Sequence, residues 1–287
     1  MQAVEVNLPG GVPVGEEWCR SAWLRPVTGQ EEEFLLNEGR EMTAAARVTQ
    51  LIARCLRRLG PVEPVGVDLV RRLSVGDREA LLLHIRRLTL GERVSCLLSC
   101  PNCGKKMDLD LQIGELLLPP YPHRRQIHSA DIADSEHSYH VKFRVPNGED
   151  QEAVAGSAAQ SIDAAADLVL RRCVEQVDSM DEENLSDLPP IVARELPTKM
   201  AALDPQAELL LDLTCPECTA GFIVPFDAGD YICRELAMQE REFYREVHAL
   251  SLHYHWSEDA VLGLSRRKRH IYLELLADEL TQGGRSA

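Results

Sequence analysis

The feature that most constrains this chain is a pair of closely spaced cysteines that occurs twice. The segment SCPNCGKKMDLDL contains Cys100 and Cys103, and TCPECTAGFIVPF contains Cys215 and Cys218. Apolar residues alternate with polar ones after each pair, which predicts β-strands and places each pair at the tip of a β-hairpin. The repeat extends beyond the cysteines, because aligning the pairs also aligns Met107 with Phe222, Leu109 with Val224, Leu111 with Phe226 and Gly114 with Gly229.

The two pairs together predict one structural zinc site with Cys100, Cys103, Cys215 and Cys218 as its ligands. Zinc prefers four soft ligands in a tetrahedron, and two thiolates on one tight turn supply two adjacent corners. The 111 residues between the pairs exceed the usual gap of about 15 to 20. Closing the longer loop costs only about 1.6 kcal/mol more, whereas structural zinc contributes about 10 to 16 kcal/mol. We therefore expect one Zn²⁺ per chain, in a closed site that serves folding.

Two other interpretations of the cysteines stay open. Cys-Pro-x-Cys also occurs in glutaredoxin-like redox proteins, but there the motif should begin a helix whose dipole lowers a thiol pKa, and strands are predicted here. Buried, unliganded cysteines are the second interpretation, which suits Cys55, Cys173 and Cys233 on apolar helix faces better than it suits the hairpin tips. Cys96 is either a spare ligand or a small core residue of its strand.

Composition and charge argue against several classes of function. The 287-residue chain has a net charge of -15 and 45% hydrophobic residues, so its own charge opposes binding to nucleic acid. The N-terminal segment MQAVEVNLPGG has no features of an export signal, and no stretch approaches the roughly 20 apolar residues of a membrane span. We therefore expect a cytoplasmic protein with no membrane partner. Because nine cysteines is an odd number, a disulfide framework also explains them poorly.

Periodicity predicts a mixed α+β fold, mainly helical, in which a split four-cysteine zinc ribbon joins the two halves. Helical spacing of apolar residues predicts helices over residues 43–59 and 161–177, and a helix over 192–203 that is broken or kinked at Pro197. Residues 19–24 are a candidate strand. The predicted regions are a mainly helical N-terminal region (1–92), the first half of the ribbon (93–120), an α+β insertion (121–206), the second half of the ribbon (207–230) and a C-terminal helical region (231–287).

A basic run, SRRKRH at residues 265–270, is the densest positive charge in the sequence. It lies in a segment of helical periodicity, where a solvated helix face is the simplest interpretation and a phosphate patch is less favoured. An acidic protein surface is the best alternative ligand for it. The candidate partner-binding residues are Arg266, Arg267, Lys268, Arg269 and Trp256. Phosphate-binding glycine loops and nucleophile elbows are absent from the sequence, so we predict no catalytic residue, no small-molecule substrate and no enzyme activity.

Five stretches of the sequence form a set that covers most of residues 20–277. They are LRPVTGQEEEFLL, LSVGDREALLLHIRRLTLGERVSCLLSCPNCGKKMDLDL, KFRVPNGEDQEA, DPQAELLLDLTCPECTAGFIVPFD and FYREVHALSLHYHWSEDAVLGLSRRKRHIYLELL. Together they resemble the T4-type phage baseplate hub assembly proteins, also called tail assembly chaperones. These proteins occur with phage tails and with phage-like contractile injection systems.

The resemblance implies a non-enzymatic factor that helps to assemble the baseplate or hub by binding baseplate, hub or spike proteins, with or without remaining in the finished particle. A zinc-ribbon protein associated with nucleic acid or transcription is the alternative, which the net charge of -15 opposes. One departure concerns the second cysteine pair. Thr219 and Ala220 follow it where Gly104 follows the first pair, so we expect the two turns to be accommodated differently.

Overall fold

The structure is a computed structural model of the chain, and it describes residues 3–123, 125–135, 137–158, 161–179, 187–237 and 240–283. Helices and antiparallel strands are both present along these ranges, which confirms the predicted α+β class. The elements form two units of similar order, each with a cysteine-bearing hairpin near its end, followed by a C-terminal helical arm. The region boundaries drawn from the sequence stay a prediction.

The first unit begins with an antiparallel sheet. Its strands, in spatial order, are β1 (Val4–Val14), β2 (Glu17–Leu24) and β3 (Leu56–Leu59). The candidate strand at residues 19–24 is confirmed as part of β2. The sequence did not indicate β1, because a Pro-Gly-Gly segment interrupts its alternation, and the pairing with β2 is irregular between Asn7 and Val12.

Four helices complete the body of the first unit. They are α1 (Gly29–Leu36), α2 (Ala44–Cys55), α3 (Val67–Arg72) and α4 (Val75–Leu90). The side-chain oxygens of Thr43 and Ser74 cap α2 and α4 by accepting backbone N–H groups of the first turn. The helix predicted over residues 43–59 is wrong at its end, since α2 stops at Cys55. Leu56 and Leu59 are 2% and 0% exposed, so burial in β3, paired with β2, overrides the helical spacing.

The first unit ends in the predicted hairpin. It consists of β4 (Arg93–Ser99), β5 (Lys106–Gln112) and the short helix α5 (Ile113–Leu116) that follows. The two strands pair without a bulge from Arg93 opposite Gln112 to Ser99 opposite Lys106. Because the ladder is regular, the first cysteine pair is held at a defined distance from the body of the unit.

The second unit repeats this arrangement. Its elements are β6 (His128–Ala133), β7 (Ser138–Phe143), α6 (Gly148–Ala158), α7 (Ile162–Cys173), β8 (Val174–Ser179) and α8 (Pro190–Leu203). The helix predicted over residues 161–177 is wrong at its end in the same way as the first, since α7 stops at Cys173 and Val174 begins β8. The helix predicted over 192–203 is confirmed, and it continues through Pro197 without a break.

A second hairpin, the helix α9 and an arm of three helices follow α8. The elements are β9 (Leu209–Thr214), β10 (Gly221–Phe226), α9 (Ala228–Ala237), α10 (Glu240–Tyr254), α11 (Glu258–Leu262) and α12 (Arg266–Gly283). We call residues 240–283 the arm. The aligned glycines Gly114 and Gly229 both lie in the helix that follows a hairpin.

The loop after the second strand has the same form in both units. Loop 1 (residues 25–31, RPVTGQE) follows β2 and includes the first residues of α1, and loop 2 (residues 144–150, RVPNGED) follows β7 and includes the first residues of α6. In each, the backbone N–H of the first arginine donates to the last residue of a helix, from Arg25 to Cys55 O at 3.0 Å and from Arg144 to Cys173 O at 2.9 Å. These bonds fix each loop beside the junction where a helix passes directly into the third strand of the sheet.

An ion pair closes each loop upon itself. Arg25 donates two hydrogen bonds of 2.8 Å to Glu31, and Arg144 donates bonds of 2.5 and 2.9 Å to Asp150. Burial raises the pKa of Glu31 and of Asp150, but the hydrogen bonds from the arginine and from the loop backbone outweigh burial and lower both pKa values. The loops are therefore held by ionised carboxylates that are almost fully buried.

Three apolar clusters hold the chain together. The largest lies in the first unit and also takes in Ile232, Cys233 and Leu236 of α9. The second lies inside the second unit, between its sheet and α8. The third belongs to the arm, and Leu36 of α1 is the member of this cluster that comes from the first unit. The end of the second unit is thus packed into the core of the first.

Replacing Asp150 with Ala should destabilise the protein by about 3 kcal/mol, because Arg144 would lose the buried partner that compensates its charge. Urea unfolding measures the change. The exposed helical pair of Arg171 and Asp167 provides the control, and Arg171→Ala should cost less than about 0.5 kcal/mol.

The same substitution has an expected pH dependence. The folded-state pKa of Asp150 lies below its ordinary 3.8, so its contribution is present above about pH 4 and is lost as the pH falls through the depressed value. The difference in unfolding free energy between the wild type and Asp150→Ala should therefore shrink on acidification. A difference that grows at low pH would contradict the assignment.

Candidate metal centre

The two cysteine pairs lie in turns of the same construction. In each turn the first cysteine donates its N–H to the carbonyl five residues later and accepts an N–H from the residue four positions later. The bonds are Cys100 N to Lys105 O (2.9 Å), Gly104 N to Cys100 O (2.9 Å), Cys215 N to Ala220 O (3.0 Å) and Thr219 N to Cys215 O (2.9 Å). Both cysteines of a pair are thereby fixed on the same side of the hairpin tip.

The departure at Thr219 does not change the backbone of its turn. Gly104 has a φ of 69° and Thr219 has a φ of 58°, so both residues adopt the left-handed conformation. Glycine tolerates this conformation, whereas a β-branched residue rarely adopts it. The hydroxyl of Thr219 donates to the carbonyl of Cys218 at 2.7 Å. The expectation that the two turns differ is therefore wrong for the backbone, and the difference is limited to the side chain.

The four sulfur atoms meet although the pairs are far apart in sequence. Sγ of Cys100 lies 3.7 Å from that of Cys218, and Sγ of Cys103 lies 3.8 Å from that of Cys215. All four lie within 4.8 Å of one another. A tetrahedral zinc ion with Zn–S bonds of about 2.3 Å separates its sulfur ligands by about 3.8 Å. The predicted meeting of the pairs is confirmed, and its spacing suits a four-coordinate ion.

The thiols of the cluster differ in acidity. The side-chain amide of Asn102 donates to Sγ of Cys218 at 3.5 Å and helps to lower the pKa of that thiol to about 6. At Cys103 a backbone hydrogen bond at Lys105 lowers the pKa, but desolvation and contacts with the other thiols outweigh it and raise the pKa to about 12. Four thiolates at this spacing repel one another, and a divalent cation would remove that repulsion.

The geometry bears on the other interpretations of the cysteines. Strands β5 and β10 follow the two pairs, so neither pair begins the helix that a redox dithiol uses. All nine cysteines are free. Cys55, Cys173 and Cys233 are buried in apolar clusters, as expected. Cys96 lies outside the four-sulfur group and its thiol is 3.8 Å from the carbonyl of Leu109.

The structure separates the candidate partner-binding residues into different environments. Arg267 and Lys268 are exposed on α12, and Arg266 is partly buried. Trp256 is also partly buried, since its ring stacks on Tyr254 with centroids 5.0 Å apart.

Arg269 is the exception in the basic run. Its side chain is 1% exposed and pairs with Glu32 and with Glu246, the latter at 3.0 Å, so the expectation of an exposed partner-binding residue is wrong. Burial against α1 and α10 explains the difference, because one face of a basic helix turns inward. Sequence reasoning missed this role, although the signal was present: LSVGDR and LSRRKR share Leu-Ser and an arginine four positions after the serine.

The fold and the four-cysteine group together define a class of protein. It is an α+β protein built from two related units, whose hairpins meet in a group of four cysteines. Among the described residues, none of the helices has both the length and the apolar composition that a membrane span needs.

The chain belongs to the family of the T4 bacteriophage base plate protein, whose model it matches over residues 12–228. The match includes both cysteine pairs and ends at the first residue of α9, before the arm. No curated protein and no solved structure shows significant similarity to the chain.

Changing Cys100 or Cys215 to Ser should abolish metal binding, because each substitution removes one of four ligands. We expect about one zinc per purified wild-type chain, and loss of both zinc and solubility in either variant. Metal analysis by mass spectrometry checks the prediction. Cys96→Ser is the matched control, since its thiol lies in the same hairpin but outside the site. Full zinc content in Cys100→Ser would exclude the four-cysteine site.

Proposed function

We propose that this chain is a non-enzymatic assembly factor or component of the baseplate or hub of a phage tail or contractile injection system, acting by binding other tail proteins. The observation that carries the proposal is the family match over residues 12–228. The stretches that resemble hub assembly proteins support the more specific role, and they extend beyond the matched range into the arm. Baseplate, hub or spike proteins are the proposed partners.

A zinc ion in the four-cysteine site is part of the proposal. The donor set consists of four sulfurs, which is typical of structural rather than catalytic zinc, because no coordination position remains for a substrate. The cation would hold the tip of the β4–β5 hairpin against the tip of the β9–β10 hairpin. Its role is therefore to fix the two units relative to each other, so that the surface offered to a partner has one shape.

A second argument for binding rather than catalysis comes from the distribution of charge. The chain carries a net charge of -15, yet Arg267 and Lys268 lie exposed side by side on α12, next to Arg266. We call these three residues the basic face. A local positive surface on an acidic protein attracts acidic partner surfaces.

Co-expression with the baseplate and spike proteins, followed by affinity capture of this chain, tests the proposal. At least one tail protein should be retained on the resin, and deletion of the gene should reduce the yield of complete particles. Electron microscopy of lysates measures the yield. Normal particles from a deletion strain, together with no captured tail component, would overturn the proposed function.

Charge reversal on the basic face should weaken capture. The double substitution Arg267→Glu and Lys268→Glu should reduce the amount of captured partner by roughly tenfold at low salt, because it removes electrostatic attraction. Increasing salt should reduce the difference between variant and wild type. Arg194→Glu is the control, since Arg194 is exposed on α8 in the second unit. Equal losses in both variants would show that the basic face has no special role.

A further inference from the structure

The four-cysteine group has a local two-fold arrangement. Exchanging the two turns converts the contact between Cys100 and Cys218, at 3.7 Å, into the contact between Cys215 and Cys103, at 3.8 Å. The backbone hydrogen bonds that close the two turns correspond in the same way. Each turn therefore supplies one ligand of each of two kinds, the first cysteine and the second cysteine of its pair.

The two kinds of ligand differ in their access to solvent. Cys100 and Cys215, the first cysteines, are 2% and 1% exposed. Of the second cysteines, Cys103 is exposed and Cys218 is half-buried. A reagent in solution therefore reaches the group through the second cysteines, and it reaches Cys103 more easily than Cys218.

The backbone contacts of the two second cysteines are the same. The sulfur of Cys103 has a backbone hydrogen bond at Lys105, and the sulfur of Cys218 has one at Ala220. Lys105 and Ala220 each lie two residues after the cysteine that they contact. Because these bonds belong to the shared construction of the turns, they do not distinguish one sulfur from the other.

One side-chain hydrogen bond breaks this symmetry. Asn102 lies in the first turn, and its amide crosses to the second turn and donates to Sγ of Cys218 at 3.5 Å. Glu217 occupies the corresponding position of the second turn, and a carboxylate has no hydrogen to donate. Among the described residues, Cys103 therefore lacks the side-chain donor that Cys218 has.

A hydrogen bond to a metal-bound sulfur restrains that ligand. The donor takes up part of the negative charge of the thiolate and fixes its position, which makes the sulfur a weaker nucleophile and slows its departure from the metal. When zinc is bound, all four sulfurs are thiolates, so the acidities of the free thiols do not rank their reactivity. Solvent access and hydrogen bonding rank it instead, and both single out Cys103.

We propose that Cys103 is the exchangeable ligand of the four-cysteine site, where an electrophile attaches first and releases the metal, while Asn102 holds Cys218 in place. This role of Cys103 rests on the zinc site of the proposed function and not on the role in the tail. Modification of Cys103 leaves three thiolates at the site. One exposed residue then decides whether the metal keeps the two hairpin tips joined.

N-ethylmaleimide is a suitable electrophile, because its addition consumes one thiolate and needs no other reagent than water. The sulfur of Cys103 forms a bond to one carbon of the maleimide double bond, and the π electron pair moves to the other carbon. That carbon takes a proton from water and leaves hydroxide in solution. The Zn–S bond breaks, since the thioether that forms no longer carries the negative charge of a thiolate ligand.

Residue-resolved labelling of the zinc-loaded, full-length chain tests the proposal. N-ethylmaleimide is added in less than the molar amount of protein, a coloured chelator reports released zinc, and mass spectrometry of peptides locates the label. Cys103 should be labelled roughly tenfold faster than Cys218, with about one zinc released for each labelled Cys103. Labelling of Cys96, which lies outside the group, should release no zinc.

The failure of the zinc site and the failure of the role of Cys103 give different results. A chain that takes up no zinc would overturn the zinc site and, with it, the role of Cys103. A chain that binds zinc but is labelled first, or equally fast, at Cys218 would overturn only the role of Cys103.

Substitutions at the two corresponding turn positions test the hydrogen bond. Asn102→Ala removes the donor, so labelling of Cys218 should become roughly tenfold faster while labelling of Cys103 stays unchanged. Glu217→Asn places an amide at the position that the two-fold arrangement relates to Asn102, so labelling of Cys103 should become slower. Glu217→Ala is the matched control and should leave the rate at Cys218 unchanged.

The two positions also guard against a variant that fails to fold. Equal acceleration at Cys103 and Cys218 in Asn102→Ala would indicate a general loss of structure and contradict a specific role for the amide. Because Glu217 is exposed, Glu217→Asn should fold even where Asn102→Ala does not. An unchanged labelling rate of Cys103 in Glu217→Asn would count against protection by the amide.

Discussion

The structure depends on the contact between two hairpin tips whose cysteine pairs are separated by 111 residues in the sequence. The sulfurs of Cys100 and Cys218 lie 3.7 Å apart, and those of Cys103 and Cys215 lie 3.8 Å apart. This contact requires that both units fold, that both ladders keep their register and that the units face each other correctly. A bound cation would stabilise all three conditions at once, because its binding energy is available only when the four ligands converge. The site thus couples local folding to the arrangement of the whole chain.

The sequence predicted the four-cysteine group better than it predicted the ends of the helices and the first strand, for physical reasons. The cysteine pairs and the alternating residues after them constrain local geometry strongly, so the two hairpins and the meeting of the four cysteines could be derived. The ends of α2 and α7 could not, because Leu56 and Val174 continue a helical spacing while burial in a sheet decides their conformation. β1 was hidden by its Pro-Gly-Gly segment. Arg269 looks like its exposed neighbours in sequence, and only the tertiary packing of α12 distinguishes it.

The repeated order of elements explains why one chain contains two similar hairpins. Loop 1 and loop 2 carry the same arginine-to-carboxylate closure, with Glu31 in one and Asp150 in the other. Each loop receives a segment that begins with Leu-Ser, and each hairpin supplies half of the cysteine group. The long separation of the cysteine pairs is therefore the spacing between equivalent points of two related units. In this member of the base plate protein family, the shape of the surface therefore depends on how the two units are joined.

The direct passage of helix into strand at Cys55–Leu56 and at Cys173–Val174 leaves the backbone no slack at either place. An inserted or deleted residue there could not be absorbed by a loop, and it would slip the following strand by one position. Because strand side chains alternate between faces, such a slip would turn a buried strand residue such as Leu56 towards solvent. Insertions and deletions are consequently far better tolerated in the surface connections between elements than at these two helix–strand junctions, whose length is fixed by the register of the following strand.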